Sequence, residues 1–151
     1  MTLGLGRTDV CLSEYSLEWQ HAFLRERALL IQVLGGKAAA IEHIGSTSVP
    51  GLKAKPILDI AVGLWAMEDA ASLIRLLEGL GYGHRPKSGA RGRIFFAKGP
   101  EDCRTHYLHC EAYDSAHWRS QLLFRDRLIQ SPELRQAYSG SEGAACRPIP
   151  Q

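Results

Sequence analysis

Apolar side chains at Trp19, Phe23, Leu30 and Leu34 recur at intervals of four and seven residues, the spacing of one helical face. Ser16 stands at a capping position before them and Gly35-Gly36 follows, so the spacing predicts a helix over 17–34. An apolar-rich run over 39–44 predicts a first core strand, and 56–64 a second, with a glycine- and serine-rich loop between. Ala70, Leu73, Ile74, Leu77 and Leu80 share one side of a predicted helix over 67–80, with Gly81 as its breaker. Residues 84–93, HRPKSGARGR, show little apolar periodicity and read as a connection.

Two further strands are predicted over 94–98 and 105–111, joined by the turn-like GPED at 99–102. Ser115 caps a predicted helix through Gln130, and Ser131-Pro132 opens a short last helix near Tyr138. Val10 and Leu12 suit a short strand after a loose lead-in over 1–8. Residues 139–151, small and rich in Gly and Pro, read as a mobile tail. The mixture of strands and helices predicts one α/β (α+β) domain over 1–138, a small mixed sheet flanked by helices. A chain of 151 residues suits a single domain that buries about two-thirds of its unfolded surface.

Composition narrows the function classes. A formal charge of +2 is too small for extended nucleic-acid binding, so any anion recognition must come from local clusters. Four cysteines without a CxxC pair support neither a zinc ribbon nor a disulfide framework, and read as reduced thiols packed as small hydrophobes. No run approaches the roughly 20 apolar residues of a membrane span, and the first ten residues lack a signal-peptide core. The expectation is a cytoplasmic protein without a membrane partner.

The chemistry concentrates in GSTSVPGLKAKPILDI, residues 45–60. Asp59 stands inside an apolar strand, where a carboxylate is costly to desolvate unless it is paired, hydrogen-bonded or bound to a cation. Alternation puts Asp59 on one face with Ala61 and Gly63, and Leu58, Ile60 and Val62 on the other. The small-residue face is expected to stay open to a ligand. The competing reading has Asp59 cap a loop or pair with Lys53 or Lys55.

Gly45-Ser46, with Thr47 beside it, lets backbone N–H groups come close to a phosphate. The GxxxxGK[ST] spacing of a P-loop is absent. Lys53 and Lys55 flank the loop, and Lys55 is the better candidate for neutralising phosphate charge. On the strand over 105–111, His109 and Glu111 share a face with Thr105 and Tyr107, while Leu108 and Cys110 turn inward. His109 is a candidate general base and Glu111 a candidate metal ligand; the plain reading of His109 is a half-buried imidazole bonded to backbone. His43 and His106 suit loop-fixing roles. Arg93 and Arg104 are candidate phosphate contacts through the guanidinium fork. Arg125-Asp126 suits a structural ion pair.

The segments IEHIGSTSVPGLKAKPILDI, RTHYLHC at 104–110 and LLFRDRLIQSPELRQAY at 122–138 resemble the GrpB-like family, over about residues 10–138. That family is placed in the nucleotidyltransferase fold superfamily. The resemblance implies that Gly45 and Ser46 contact a triphosphate and that Asp59 is the first metal carboxylate, with Mg or Mn as cofactor and a nucleoside triphosphate or other phosphorylated small molecule as partner. Active superfamily members carry acid-apolar-acid on this strand, whereas here the run is Asp59-Ile60-Ala61. The leading expectation is nucleotidyl transfer to a small-molecule or protein acceptor. A non-catalytic nucleotide or phosphometabolite module is the alternative, and a metal-dependent hydrolase centred on His109 the third.

Overall fold

The computed structural model describes residues 3, 5–6, 12–67, 70–86 and 92–143. Helix α1 (Leu17–Leu34) starts where the Ser16 hydroxyl accepts the Glu18 amide, and it buries Trp19, Leu30 and Leu34. A single turn, Gly35–Lys37, leads into strand β2 (Ala38–Ile44), and the chain returns as β3 (Leu58–Leu64). Helix α2 (Ala70–Glu78), strands β4 (Tyr82–His84) and β5 (Arg93–Lys98), and strand β7 (His106–Ala112) follow. A small two-stranded ribbon pairs β1 (Leu5–Gly6) with β6 (Cys103–Arg104). Helices α3 (Ala116–Gln130) and α4 (Pro132–Gly143) close the described chain.

The main sheet has the order β2-β3-β7-β5-β4, and β3 and β7 run parallel while every other pair is antiparallel. Alternation divides its residues as the sequence predicts. Ile60, Val62, Leu64, Leu108, Cys110 and Phe96 face Leu30 and Leu34 of α1 and Leu73 and Leu77 of α2 in the main core. Each such side chain, fully buried, contributes roughly 1.5–3 kcal/mol. On the other face Ala61 and Ile44 pack against Trp118 of α3. Burial raises the Cys110 thiol to about 12, so Cys110 behaves as a small hydrophobe; Cys103 is exposed and free.

The differences from the sequence reading have simple causes. Helix α2 is shorter than predicted: the amides of Leu80 and Gly81 fold back onto Leu77 and Glu78 in a turn. Strand β4 was not anticipated, because three residues with a glycine at the centre give no alternation to read. Helix α4 runs five residues past Tyr138 into the stretch expected to be loose, since extending a nucleated helix fixes few new dihedrals per hydrogen bond. The strand suggested for Val10 and the tail over 144–151 lie outside the described residues. Leu12 is not in a strand, and the next residue, Ser13, makes an isolated bridge to Ala54.

On the α1 side of the sheet an acid is buried among apolar residues. Glu26, on the buried face of α1, accepts hydrogen bonds from the Tyr82 hydroxyl at 2.7 Å and Lys98 Nζ at 2.9 Å. His106 Nε2 lies 3.7 Å from its second oxygen. Burial holds the His106 pKa below its ordinary value, with Glu26 pulling the other way. This cluster ties α1 to β4, β5 and β7 and compensates the carboxylate for leaving water. Removing the phenol oxygen in Tyr82→Phe is expected to cost about 1.5–3 kcal/mol, the range for a bond to a charged group. Urea unfolding measures it, and an unchanged midpoint shows that Lys98 alone satisfies Glu26.

Candidate functional site

The site begins where β2 ends. Ile44 pairs with Asp59 in the β2–β3 register, so the turn that follows is delivered directly beside the acid. Gly45 has φ 72°, and a Cβ built on it would lie 2.7 Å from Asp59 Oδ2 and 3.0 Å from Asp59 Cβ. Only a residue without a side chain can hold this conformation and touch the carboxylate at once. A single helical turn, Ser46–Ser48, then carries Thr47 and Ser48 inward.

That turn is held from below by His43. Its Nε2 lies 2.9 Å from the Thr47 hydroxyl, and its ring stacks on Phe23 at 4.8 Å. Burial, assisted by the Arg125 charge, lowers the His43 pKa to about 4, so the ring is neutral at pH 7. Arg125 donates to the His43 carbonyl and to Glu42 and pairs with Asp126, fastening α3 to β2. The pairing of Arg125 with Asp126 expected from the sequence is therefore seen, within a larger clamp.

Above the turn is a pocket of about 230 Å³, lined by Gly45, Ser46, Thr47 and Lys55 together with Asp59, Tyr107 and Tyr138. Tyr138 reaches in from α4, its hydroxyl 3.4 Å from Ser46 Oγ. Asp59 is bonded to His109, with Nε2 at 3.2 Å from Oδ1, and their side chains remain 32% and 24% exposed. The acid therefore has an imidazole partner and still reaches solvent. Lys53 instead pairs with Glu14 at 3.1 Å.

Five of the predicted residues thus line one pocket: Gly45, Ser46, Thr47, Lys55 and Asp59, with His109 bonded to the acid. The Thr47 hydroxyl is engaged by His43. The other three lie elsewhere. Glu111 is 2% exposed, and both its oxygens are used, one by Gln121 Nε2 and one by His117 Nδ1 at 2.8 Å. Arg93 donates to His117 Nε2 at 3.1 Å. Because Arg can only donate, this fixes His117 with its proton on Nδ1. Glu111, Arg93 and His117 line a separate pocket of about 380 Å³. Arg104 donates to the Gly99 carbonyl and fixes the β5–β6 turn.

The open small-residue face extends only as far as Asp59. Ala61 is wholly buried beside Trp118, and a Cβ at Gly63 would meet Tyr113 at 2.9 Å and Trp118 at 3.2 Å. The residues that the sequence reading missed are Tyr107, Tyr138 and His117. Tyr107 follows from the alternation already applied to His109, but nothing local marks Tyr138 or His117, which tertiary packing brings in.

The sequence profile described as GrpB protein matches residues 9–147. The chain belongs to the GrpB family. It is 32% identical over 140 residues to the glutamate-rich protein GrpB of Alkalihalophilus pseudofirmus, covering 90% of this chain and 80% of that one. It is 34% identical over 125 residues to the UPF0157 protein YqkA of Bacillus subtilis, covering 83% of this chain and 36% of the longer relative. The crystal structure of the conserved protein GrpB from Enterococcus faecalis superposes with a TM-score of 0.80 at 35% identity, covering 86% of this chain and 79% of that one. The mixed sheet and its helices are therefore a GrpB fold. Among the described residues no helix is long and apolar enough to cross a membrane.

Two expectations follow for this GrpB chain. Gly45→Ala forces a left-handed backbone on alanine and drives a methyl into Asp59, at a cost of about 1–3 kcal/mol in chemical denaturation; a neutral substitution would mean that the turn does not abut the acid. The lowered His43 pKa makes the unfolded chain the better proton binder between about pH 4 and 6.5. Its stabilisation is thus complete above about pH 6.5 and is lost as pH falls toward 4, by about 3 kcal/mol in all. Unfolding at pH 7 and pH 4.5 is expected to show this slope reduced in His43→Gln, and an identical slope in the variant excludes His43 as its source.

Proposed function

We propose that this protein is a nucleotidyltransferase-like enzyme that binds a nucleoside triphosphate with a divalent cation and passes the nucleotidyl group to an acceptor hydroxyl. The observation that most supports this reading is that Gly45, Ser46 and Asp59 line one pocket, where the turn would receive an anion beside an acid that would hold a cation. The Gly45 and Ser46 backbone and the Ser46 hydroxyl would hold the terminal phosphates, and Lys55 would add neutralising charge. In the transfer, the acceptor oxygen bonds to the α-phosphorus as the bond to pyrophosphate breaks. With Nε2–H donated to Asp59, His109 has Nδ1 as its basic atom for the acceptor's proton. Positioning and charge neutralisation carry the rate.

The donor set fits one cation and not two. Asp59 and the adjacent His109 are a carboxylate and an imidazole, the latter better suited to Mn than to Mg. Ala61 offers a methyl where the superfamily resemblance leads one to expect a second acid. Among the described residues no group of three or more His, Cys, Asp or Glu gathers around a common point. One Mg or Mn held by Asp59, phosphate oxygens and water supplies charge neutralisation when bound. A hydrolytic metal site centred on His109 would have Asp59 as its one protein co-ligand.

The burial of Ala61 beneath Trp118 favours a second reading, a binding module that holds a nucleotide or phosphometabolite without turning it over. Asp59→Asn separates the two. Under the enzyme reading it abolishes Mn-dependent nucleotide binding and pyrophosphate release, and intact turnover in the variant rules that reading out. Binding without turnover that survives removal of metal assigns the module instead.

A further inference from the structure

The pocket between Gly45 and Asp59 is smaller than the roughly 300 Å³ at which small-molecule sites begin. It has room for phosphates, and the remainder of any nucleotide or acceptor must lie outside it. The sheet shows where. Asp59 pairs with Tyr107, Tyr107 with Ala97, and His109 with Phe95, so alternation aims Asp59, Tyr107, His109 and Phe95 at the same side. Helix α3 covers the β2–β3 half of this side through Trp118. Over the β7–β5 half, Phe95 is only partly buried and joins none of the apolar clusters of the described residues.

Its neighbour Phe96 points the other way and is fully buried in the main core. Two adjacent phenylalanines thus have opposite fates, and Phe95 forgoes part of the stabilisation that full burial would contribute. It meets aromatic rings instead: Tyr107 at 5.2 Å between centroids, tilted 37°, and His109 at 5.1 Å, tilted 55°. An isolated exposed apolar side chain needs no explanation. This one is continuous with the pocket, because Tyr107 lines both. Phe95 stands two strands from β3 and three from β2, about 10 and 14 Å across the sheet, so a ligand whose phosphates sit at Gly45-Ser46 must extend past Asp59 and over β7 to meet it.

We infer that Phe95 and Tyr107 form a stacking shelf for a flat, π-faced ring of the small molecule handled at the Asp59 pocket. The inference rests on the phosphate-pocket reading above and names the ligand chemistry that this reading leaves open. The ring is either the base of the bound nucleotide or a ring on a separate acceptor presented to His109. Stacking of this kind tolerates differences in ring identity, because every base has a π face.

Calorimetric titrations with Mn²⁺ test it, using tripolyphosphate, ATP and UTP, and adenosine with and without saturating tripolyphosphate. Phe95→Ala is expected to weaken a ring-bearing probe about tenfold and to leave tripolyphosphate unchanged. Phe95→Leu, which keeps apolar volume without a π face, is expected to do the same if the alanine variant is disturbed in folding. A loss confined to ATP and UTP assigns the nucleotide's base; a loss in the adenosine titrations assigns a separate acceptor. Ring-bearing probes that bind wild type and both variants alike, or that bind wild type no better than tripolyphosphate, overturn the shelf. Wild-type protein that ignores tripolyphosphate but loses adenosine with Phe95 refutes the phosphate pocket and keeps the shelf.

Discussion

The register of β2 against β3 is the constraint on which the candidate site depends. Ile44 opposite Asp59 means that the chain leaving β2 must turn beside a carboxylate, and Gly45 is the residue that allows it. A shift by one residue would exchange the two faces of β2, setting Ile44 toward α1 and Ile41 and His43 toward α3. The register is therefore fixed by the burial of Ile41, Ile44, Ala61 and Val62 in two separate clusters. The core and the pocket are specified by the same alternation.

That coupling explains which parts were legible in the sequence. Helices α1 and α3, strands β2, β3, β5 and β7, and the facing of Asp59 and His109 all follow from period and capping, which are local. The pairing of Asp59 with His109 also follows in part, because both alternate onto one face, though the parallel β3–β7 neighbourhood is a product of topology. The failures are tertiary. Glu111 shares the His109 face, as alternation requires, yet two residues along the strand displace it by about 7 Å, far enough for α3 to claim it through His117 and Gln121. Arg93 follows Glu111 for the same reason, since the β5–β7 register sets them opposite each other.

The two faces of the sheet also divide the polar work. On the α1 side, one oxygen of Glu26 accepts from both Tyr82 and Lys98, and His106 stands 3.7 Å from the other. On the α3 side, Glu111 is equally enclosed. Asp59 differs from both: one imidazole bonds it, and part of its surface stays in contact with water. A carboxylate kept partly open at the rim of a pocket, while Glu26 and Glu111 are buried with two donors each, is the distinction expected between a site and a structural pair.

The packing around Ala61 has consequences beyond that one position. Trp118 packs on Ala61 and crosses the place where a Gly63 side chain would stand, so α3 lies closer to the sheet than an ionised side chain at 61 would permit without heavy desolvation. Close packing of α3 in turn supports the Arg125 clamp on the His43 carbonyl, and His43 holds Thr47 beneath the Gly45-Ser46 turn. The packing of Trp118 over Ala61 thus braces the turn. The pocket therefore presents one acid, a braced turn and His109, an arrangement that follows from how α3 is seated.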